Sequence, residues 1–264
     1  MRADGSALMV IAHGSRDAAA RTEFLEQVRA LSRELEGALV RYAVLEFPGS
    51  HAPSIKNAVI ALPPAVKRLV VLPFFLFDAG HVRRDIPAEL AAARALSPGL
   101  EITILPQVGV DDGLLDVLSD RVRCAAGNAL PHDEPWAVLV VGAGTSSEDA
   151  NSELIRMARR VGDQLSAPIV EAAFVSLARP TIAEGMIRCV ERGARHIITA
   201  HYFLNTGVLA RRIEPQARAE AERLGVKLTI GEHFGAHQVL AKALARRVRN
   251  ALVNDAQVSY GEQS

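Results

Sequence analysis

Two histidines follow apolar runs that are typical of buried parallel strands. His13 lies directly after the apolar part of Leu8–Asp17, LMVIAHGSRD, and His81 lies in the loop part of Arg68–Ile86, RLVVLPFFLFDAGHVRRDI. An imidazole can bind a divalent transition metal and can accept a proton near neutral pH. The pair is therefore the first candidate for a functional site.

Other polar residues could line the same site. Glu46 ends the next apolar segment and offers a carboxylate that could serve as an acid or a base. Ser15 and the backbone N–H groups after Gly14 begin a helix, where anions are favoured. Local positive charge comes from three arginines, Arg16, Arg83 and Arg84. A crevice lined in this way suits a ligand with several negative charges.

The alternation of apolar runs and helical patterns predicts an α/β fold. The predicted strands of the first half are Leu8–Ala12, Ala38–Phe47, Arg68–Phe77 and Leu100–Leu105. The predicted helices are Asp17–Leu35, Ser54–Leu62, Asp85–Leu96 and Asp111–Ala126. Strands that alternate with helices imply right-handed crossovers and a parallel sheet with helices on both faces.

The second half of the chain repeats the first. Val140–Leu154 lies on Val10–Phe24 without a gap, and Arg195–Ile213 matches Arg68–Ile86. A period of domain size indicates an internal duplication rather than a solenoid. The sequence therefore predicts two tandem domains, joined by a polar linker at about 128–135; their predicted ranges are 1–127 and 136–264.

The repeat also shows what the second copy lacks. Ala143 falls on the position of His13, and Val208 falls on that of His81. We therefore expect a catalytic first half and a scaffold second half. His201 and His233 stand near the predicted strand ends of the second half, and a replacement metal or substrate site there is left open.

The predicted topology brings the two histidines together. In a doubly wound sheet, ligands bind outside the carboxyl ends of the strands where the strand order reverses. For the order 2-1-3-4 this point lies between strands 1 and 3, which deliver His13 and His81. Neighbouring strands are roughly 4.8 Å apart. We therefore expect both imidazoles to converge on one ion that keeps open coordination positions.

The bulk composition excludes several classes of function. Formal net charge is zero, so no global field attracts nucleic acid or a membrane surface. The first residues lack the apolar core of a signal peptide, and no apolar run reaches the roughly 18 residues that span a bilayer. We expect a soluble, cytoplasmic protein. No G-x-S-x-G elbow or nucleotide-binding glycine motif is present, which disfavours a serine hydrolase and a nucleotide cofactor.

With these motifs the chain resembles the class II chelatases of the CbiX/SirB type. The resemblance rests on HGSRD, on PSI and on VVLPFFLFDAGHVRRDIP, and it covers nearly the whole chain in the long, two-domain form of the family. It implies two flavodoxin-like domains, each with a four-stranded sheet of order 2-1-3-4. It also implies insertion of a divalent metal, without ATP, into the carboxylate-rich tetrapyrrole sirohydrochlorin, in siroheme or cobalamin synthesis.

The resemblance assigns roles to individual residues. The two family histidines, which bind the metal and help to deprotonate the pyrroles, match His13 and His81, and a family glutamate is matched by Glu46. The segment LEFPGSHAPSI is two or three residues longer than its usual family counterpart. Fe²⁺ is the favoured metal substrate, while Co²⁺ and Ni²⁺ also suit imidazole.

Two other functions are also compatible with the sequence. The protein could carry a tetrapyrrole or a metal without turnover, or it could be a structural α/β protein whose histidines are incidental. Multiple turnovers at limiting protein separate an enzyme from a carrier, and a metal titration tests the third hypothesis. We expect a monomer with pseudo-dimeric domains.

Overall fold

The computed structural model describes residues 5–77, 80–110, 112–127, 130–131 and 133–261. The strands are β1 Ser6–Ala12, β2 Leu39–Val44, β3 Arg68–Pro73, β4 Glu101–Ile104, β5 Trp136–Gly142, β6 Ile169–Phe174, β7 His196–His201 and β8 Lys227–Thr229. The helices are α1 Ala18–Glu34, α2 Ile55–Ile60, α3 Ile86–Arg94, α4 Gly113–Ala125, α5 Glu148–Leu165, α6 Ile182–Glu191, α7 Ile213–Leu224 and α8 Gln238–Gly261. None of these described helices has the length and apolar character needed to cross a membrane.

The described strands form two parallel sheets with the same topology. Their orders are β2-β1-β3-β4 and β6-β5-β7-β8, and every strand pair is parallel. The predicted order 2-1-3-4, and its repetition in the second half, are therefore confirmed. In each sheet the order reverses beside the first strand of the repeat, so the topology places a ligand crevice at its carboxyl end.

Two strands end earlier than the sequence predicts. β2 ends at Val44 rather than Phe47, and β3 ends at Pro73 rather than Phe77. The reason is that β1, the neighbour of both strands, ends at Ala12. Beyond this residue β1 provides no backbone partners with which β2 and β3 could pair. The extra apolar residues therefore form loops above the sheet, at the edge where the candidate site lies.

The two compact units do not follow the sequence repeat. Of the described residues, those up to 110 and those from 236 onward form the first unit, and 112–235 form the second. Helix α4 contacts α5 and β7 in the second unit, while α8 contacts α1 and β3 in the first. The predicted ranges 1–127 and 136–264 therefore describe the sequence repeat and not the compact units. In each repeat the last helix, α4 or α8, packs on the sheet of the other repeat. Part of the predicted linker lies outside the described residues.

The two central strands of the first sheet, β1 and β3, are buried on both faces. On one face, side chains of β1 and β3 pack against α2 and α3 in a core that includes Met9, Ile11, Val71, Ile55 and Leu90. The β1 residues from Ala7 to Ile11 are at most 1% exposed. Burial on both faces explains why β1 is a continuous apolar run without polar alternation. The polar residues begin only where the strand leaves the core.

Candidate metal centre

Three side chains meet at the carboxyl edge of the first sheet. Each of His13, Glu46 and His81 offers one ligand atom, and these atoms lie within 4.8 Å of one another. His13 Nε2 lies 3.7 Å from Glu46 Oε1. The two imidazole rings meet edge to face, with centroids 4.8 Å apart and planes at 87°. Ligand atoms that share one first-row ion are about 3–4 Å apart, so the three side chains are close enough to be candidates for binding one cation.

The backbone fixes the relative position of His13 and Glu46. The Glu46 N–H donates a hydrogen bond of 2.7 Å to the His13 carbonyl, and the Leu45 N–H donates one of 3.1 Å to the Ala12 carbonyl. Gly14 has a φ of +97°, and a Cβ atom there would lie 2.0 Å from the Glu46 carbonyl oxygen. Only glycine allows the β1 loop to pass this close beneath the β2 loop. Two neighbouring strands thus present their polar residues side by side.

His81 is positioned by a π-helical turn and by a side-chain hydrogen bond. It begins the π-helical turn His81–Asp85, which leads directly into α3. Its Nδ1 atom makes a hydrogen bond of 2.7 Å with Asp85 Oδ2, and its ring lies 6.3 Å from that of Phe75. Single π-helical turns are rare and occur frequently at functional sites. Sequence reasoning missed Asp85, although its position four residues after His81 is the spacing at which helical side chains meet.

The site faces solvent rather than the core. The side chain of His13 is 45% exposed and that of Glu46 is 44% exposed, and that of His81 is 40% exposed. The three residues lie beyond the last residues of β1, β2 and β3. The cluster is therefore accessible from solvent.

The predicted binding residue Ser15 lies in the turn between β1 and α1. Its Oγ atom accepts a hydrogen bond of 3.1 Å from the Asp17 N–H, which leaves its hydroxyl proton for another acceptor. Asp17 is the N-cap of α1, and its carboxylate accepts from the Ala19 N–H at 2.9 Å. The start of α1 therefore carries a carboxylate of the chain itself, which limits the anion attraction that the sequence suggested there.

The three predicted arginines lie on the same edge in different settings. The Arg16 guanidinium carbon lies 4.5 Å from the ring centroid of Phe47, which follows Glu46 and has a φ of +53°. Arg83 and Arg84 are exposed residues of the π-helical turn. The Arg84 guanidinium lies over Gly80, where a Cβ atom would be 2.9 Å from its Nη2. Positive charge thus lies on the loops that carry His13 and His81.

The second unit keeps the framework of this site without its ligands. The Ser176 N–H donates a hydrogen bond of 3.0 Å to the Ala143 carbonyl, as Glu46 does to His13. Gly144 has a φ of +82°, and a Cβ there would lie 1.8 Å from the Ser176 carbonyl oxygen. Ala143 and Ser176 therefore occupy the structural positions of His13 and Glu46. Val208, which the repeat places at the position of His81, is 66% exposed.

His201 and His233 do not form a comparable cluster. His201 is buried at the end of β7, and its Nε2 lies 3.1 Å from Thr199 Oγ1. The pKa of His201 is lowered to about 4, mainly by burial and also by the charge of His233, while Glu214 opposes the shift. Among the described residues, no second group of three His, Cys, Asp or Glu side chains comes together as the first one does. The hypothesis of a replacement metal site gains no support from this geometry.

Comparison with known proteins relates both halves of the chain to one family. The CbiX family model matches residues 7–125 and again 137–251. The sirohydrochlorin cobaltochelatase of Priestia megaterium is 28% identical over 255 residues, covering 96% of this chain and 82% of that protein. The sirohydrochlorin ferrochelatase of the same organism is 24% identical over 250 residues, covering 93% and 90%. SirB from Bacillus subtilis with Fe³⁺ superposes with a TM-score of 0.78 at 21% identity, covering 97% of this chain and 98% of that one.

Proposed function

This chain belongs to the CbiX family, and on that premise we propose that it is a chelatase that inserts a divalent metal into sirohydrochlorin without ATP. The observation that carries the proposal is the group of His13, Glu46 and His81, with one ligand atom from each within 4.8 Å. The group stands at the carboxyl end of the first sheet, where doubly wound folds bind ligands. It combines metal ligands with proton acceptors, and a chelatase needs both.

The metal is a substrate in this reaction. Two imidazole nitrogens and one carboxylate oxygen suit Fe²⁺ and Co²⁺, and they leave coordination positions open for the incoming nitrogens of the macrocycle. The side chains are partly exposed, so the ion can enter from solvent and leave in the product. We propose Fe²⁺ as the favoured metal and Co²⁺ as an accepted one, with the supply of each ion contributing to the choice.

Insertion also requires the removal of two protons. Two pyrrole N–H bonds break, the metal binds the macrocycle nitrogens, and the two protons pass to side chains of the site and then to water. The His13 imidazole and the Glu46 carboxylate lie 3.7 Å apart, so both can contact one face of the macrocycle. Each ligand that releases the metal gains a lone pair that can accept a proton. Metal transfer and deprotonation therefore use the same atoms.

The loops around the site provide binding groups for the carboxylates of the substrate. Arg16 on the β1 loop and Arg83 and Arg84 on the β3 loop can form charge-assisted hydrogen bonds with carboxylates. The Ser15 hydroxyl has a proton to donate, because its oxygen accepts from the Asp17 N–H. The exposed ring of Phe47 offers an apolar surface beside Glu46. Together these groups match a flat macrocycle with a charged periphery.

The test is a metallation assay in which the change in the absorbance of sirohydrochlorin measures metal insertion. Protein is kept limiting, and Fe²⁺, Co²⁺ and Ni²⁺ are supplied at equal free concentrations. We expect multiple turnovers with the wild-type chain. We expect His13→Ala and His81→Ala each to lower the rate about 10²–10⁴-fold, the usual contribution of a positioned acid or base. Circular dichroism of both variants checks that the fold survives.

The same assay separates the alternatives. Stoichiometric binding of sirohydrochlorin or metal without turnover would identify a carrier and overturn the proposal. Wild-type activity in the His13→Ala, His81→Ala double variant would place the chemistry elsewhere. We expect both substitutions to leave the fold intact, because His13 and His81 lie outside the buried cores.

A further inference from the structure

We propose that Asp85 is a positioning residue that fixes the orientation and the tautomer of His81 for metal binding. The inference rests on the proposed function in taking His81 as a metal ligand. Asp85 Oδ2 lies 2.7 Å from His81 Nδ1. A neutral imidazole that donates Nδ1–H to this carboxylate keeps the lone pair of Nε2 for a cation. Asp85 itself is not part of the three-residue ligand group.

The carboxylate of Asp85 has no other structural task at the helix start. Asp85 stands at the N-cap position of α3 but has helical φ and ψ angles and makes no side-chain capping hydrogen bond. Asp17 differs from it, because it caps α1 through its side chain from an extended conformation. The contact with His81 therefore accounts for an aspartate at this position better than helix capping does.

The π-helical turn brings the two side chains together. His81 and Asp85 are its first and last residues, and the Ile86 N–H bonds back to the His81 carbonyl. Ile86 is fully buried and anchors the turn in the core. The side chains of His81 and Asp85 are 40% and 49% exposed, so burial alone does not fix either of them. The hydrogen bond that His81 Nδ1–H donates to the Asp85 carboxylate restricts the rotation of the exposed ring.

The second repeat supports this pairing independently. Its corresponding segment, Gly207–Ile213 or GVLARRI, contains neither a histidine nor a carboxylate. It forms a short 3₁₀ turn at Ala210–Arg212 in place of the π-helical turn. The repeat thus loses the imidazole, the carboxylate and the special backbone together, while the arginine pair persists. This joint loss is expected if the three features serve one purpose.

The test is a titration of the full chain with Co²⁺, measured by calorimetry, in wild type, Asp85→Ala and Asp85→Asn. Partners that orient metal-binding histidines are typically worth about 10–100-fold in metal affinity. We therefore expect Asp85→Ala to weaken Co²⁺ binding by about that factor. Asp85→Asn keeps an oxygen acceptor for Nδ1–H and should restore part of the affinity. Glu89→Ala is the matched control, because it removes an exposed carboxylate from the first turn of α3 without touching His81.

Two further measurements separate positioning from general stability. In a His81→Ala background, Asp85→Ala should have no additional effect on Co²⁺ affinity, because the coupling acts through His81. The ¹⁵N chemical shifts of the His81 ring should report one tautomer in wild type and a mixture in Asp85→Ala. Unchanged Co²⁺ affinity and an unchanged tautomer in Asp85→Ala would overturn the inference. If wild type binds Co²⁺ but does not metallate sirohydrochlorin, the proposed function fails while the titration still decides the role of Asp85.

Discussion

The backbone N–H of Glu46 donates a hydrogen bond of 2.7 Å to the carbonyl oxygen of His13, which ties two of the three candidate ligands together through the main chain. Ser176 and Ala143 make the same bond at 3.0 Å in the second unit, without ligand side chains. The frame is thus a property of the fold, and the chemistry depends on which side chains are placed on it.

Gly14→Ala should damage the metal site and the fold together. A Cβ atom at residue 14 would lie 2.0 Å from the Glu46 carbonyl oxygen, so the loop that carries Glu46 must move. The matched control is Gly99→Ala, because Gly99 also has a positive φ, +86°, but has nothing within 4 Å of the added atom. We expect the control to cost about 1–2 kcal/mol of unfolding free energy, the usual penalty of a left-handed residue.

The comparison between these two glycine variants isolates the clash. Gly14→Ala should lose more unfolding free energy than Gly99→Ala in urea titrations. It should also weaken Co²⁺ binding at least about tenfold, the lower end of the usual effect of disturbing a metal site. Equal stability losses, together with wild-type Co²⁺ affinity in Gly14→Ala, would show that the close contact does not position Glu46.

Glu46→Gln should impair metallation while the fold remains intact. The substitution keeps the size of the side chain but removes the negative charge 3.7 Å from His13 Nε2. We expect weaker Co²⁺ binding. We also expect the metallation rate to fall at least about 10²-fold, because a positioned base contributes this much or more. Glu36→Gln, at an exposed residue just after α1, is the charge-matched control. The prediction fails if both variants retain the wild-type rate.

Arg16→Ala should raise the KM for sirohydrochlorin more than it lowers kcat. The guanidinium lies over the Phe47 ring at the edge of the site and can pair with a carboxylate of the substrate. The effect should decrease as salt is added, because exposed charges are screened. Arg29→Ala removes the same charge from an exposed position on α1 and should leave KM unchanged. An equal KM change in both variants would indicate only a general effect of charge.

Co²⁺ should bind the isolated protein more tightly than Fe²⁺ does. Ligand sets of nitrogen and oxygen generally follow the order Fe²⁺ below Co²⁺ below Ni²⁺, and the group of His13, Glu46 and His81 has no feature that reverses it. Anaerobic titrations of each ion, with His13→Ala as the site control, measure this order. A tighter affinity for Fe²⁺ would mean that the geometry of the site, and not the ligand chemistry, selects the metal.

The sequence predicted the parallel sheet, and it predicted that His13 and His81 lie close together at one edge of that sheet. Both predictions follow from strand patterns and from the strand order. The apolar run before His13 and the alternation of strands and helices determine a parallel sheet, and the strand order then places residues after β1 and β3 at one edge. The position of Glu46 could be predicted only roughly. β2 ends at Val44, two residues before Glu46, and the path of the loop that follows depends on its close contact with Gly14. The roles of these residues remain proposals.

Other features could not be predicted from local patterns. Helix α4 packs on β7 and α8 packs on β3. An apolar helix face shows that a helix packs on a core, but it does not specify which sheet provides that core. The spacing of four residues between His81 and Asp85 allows a contact, but it does not show that the segment forms the π-helical turn that aligns the two side chains. Such turns depend on the whole packing of the segment, and the spacing of the residues alone does not reveal them.

The stability of the second unit should fall as the pH drops from about 6.5 towards 4, and His201 should account for part of that fall. Burial lowers the pKa of His201 from 6.5 to about 4, with the charge of His233 acting in the same direction and that of Glu214 opposing it. The unfolded chain therefore binds a proton in this pH range that the folded chain does not. Such stability is present above the unfolded pKa and is lost as the pH falls through the folded one. The expected contribution is on the order of 3 kcal/mol.

The measurement is urea unfolding at pH 7.5 and pH 4.5, in wild type and in His201→Gln. The fluorescence of Trp136, the single tryptophan of the chain, reports on the sheet that contains His201. Groups that do not interact with His201 titrate alike in both proteins and cancel in the difference between them. His233 and Glu214 interact with His201, so the difference reports His201 together with its coupling to these two groups. His201→Gln cannot gain a proton and should lose less unfolding free energy at pH 4.5, although it starts from a lower value at pH 7.5. Parallel pH dependences in the two proteins would show that His201 is protonated as readily in the folded chain as in the unfolded one.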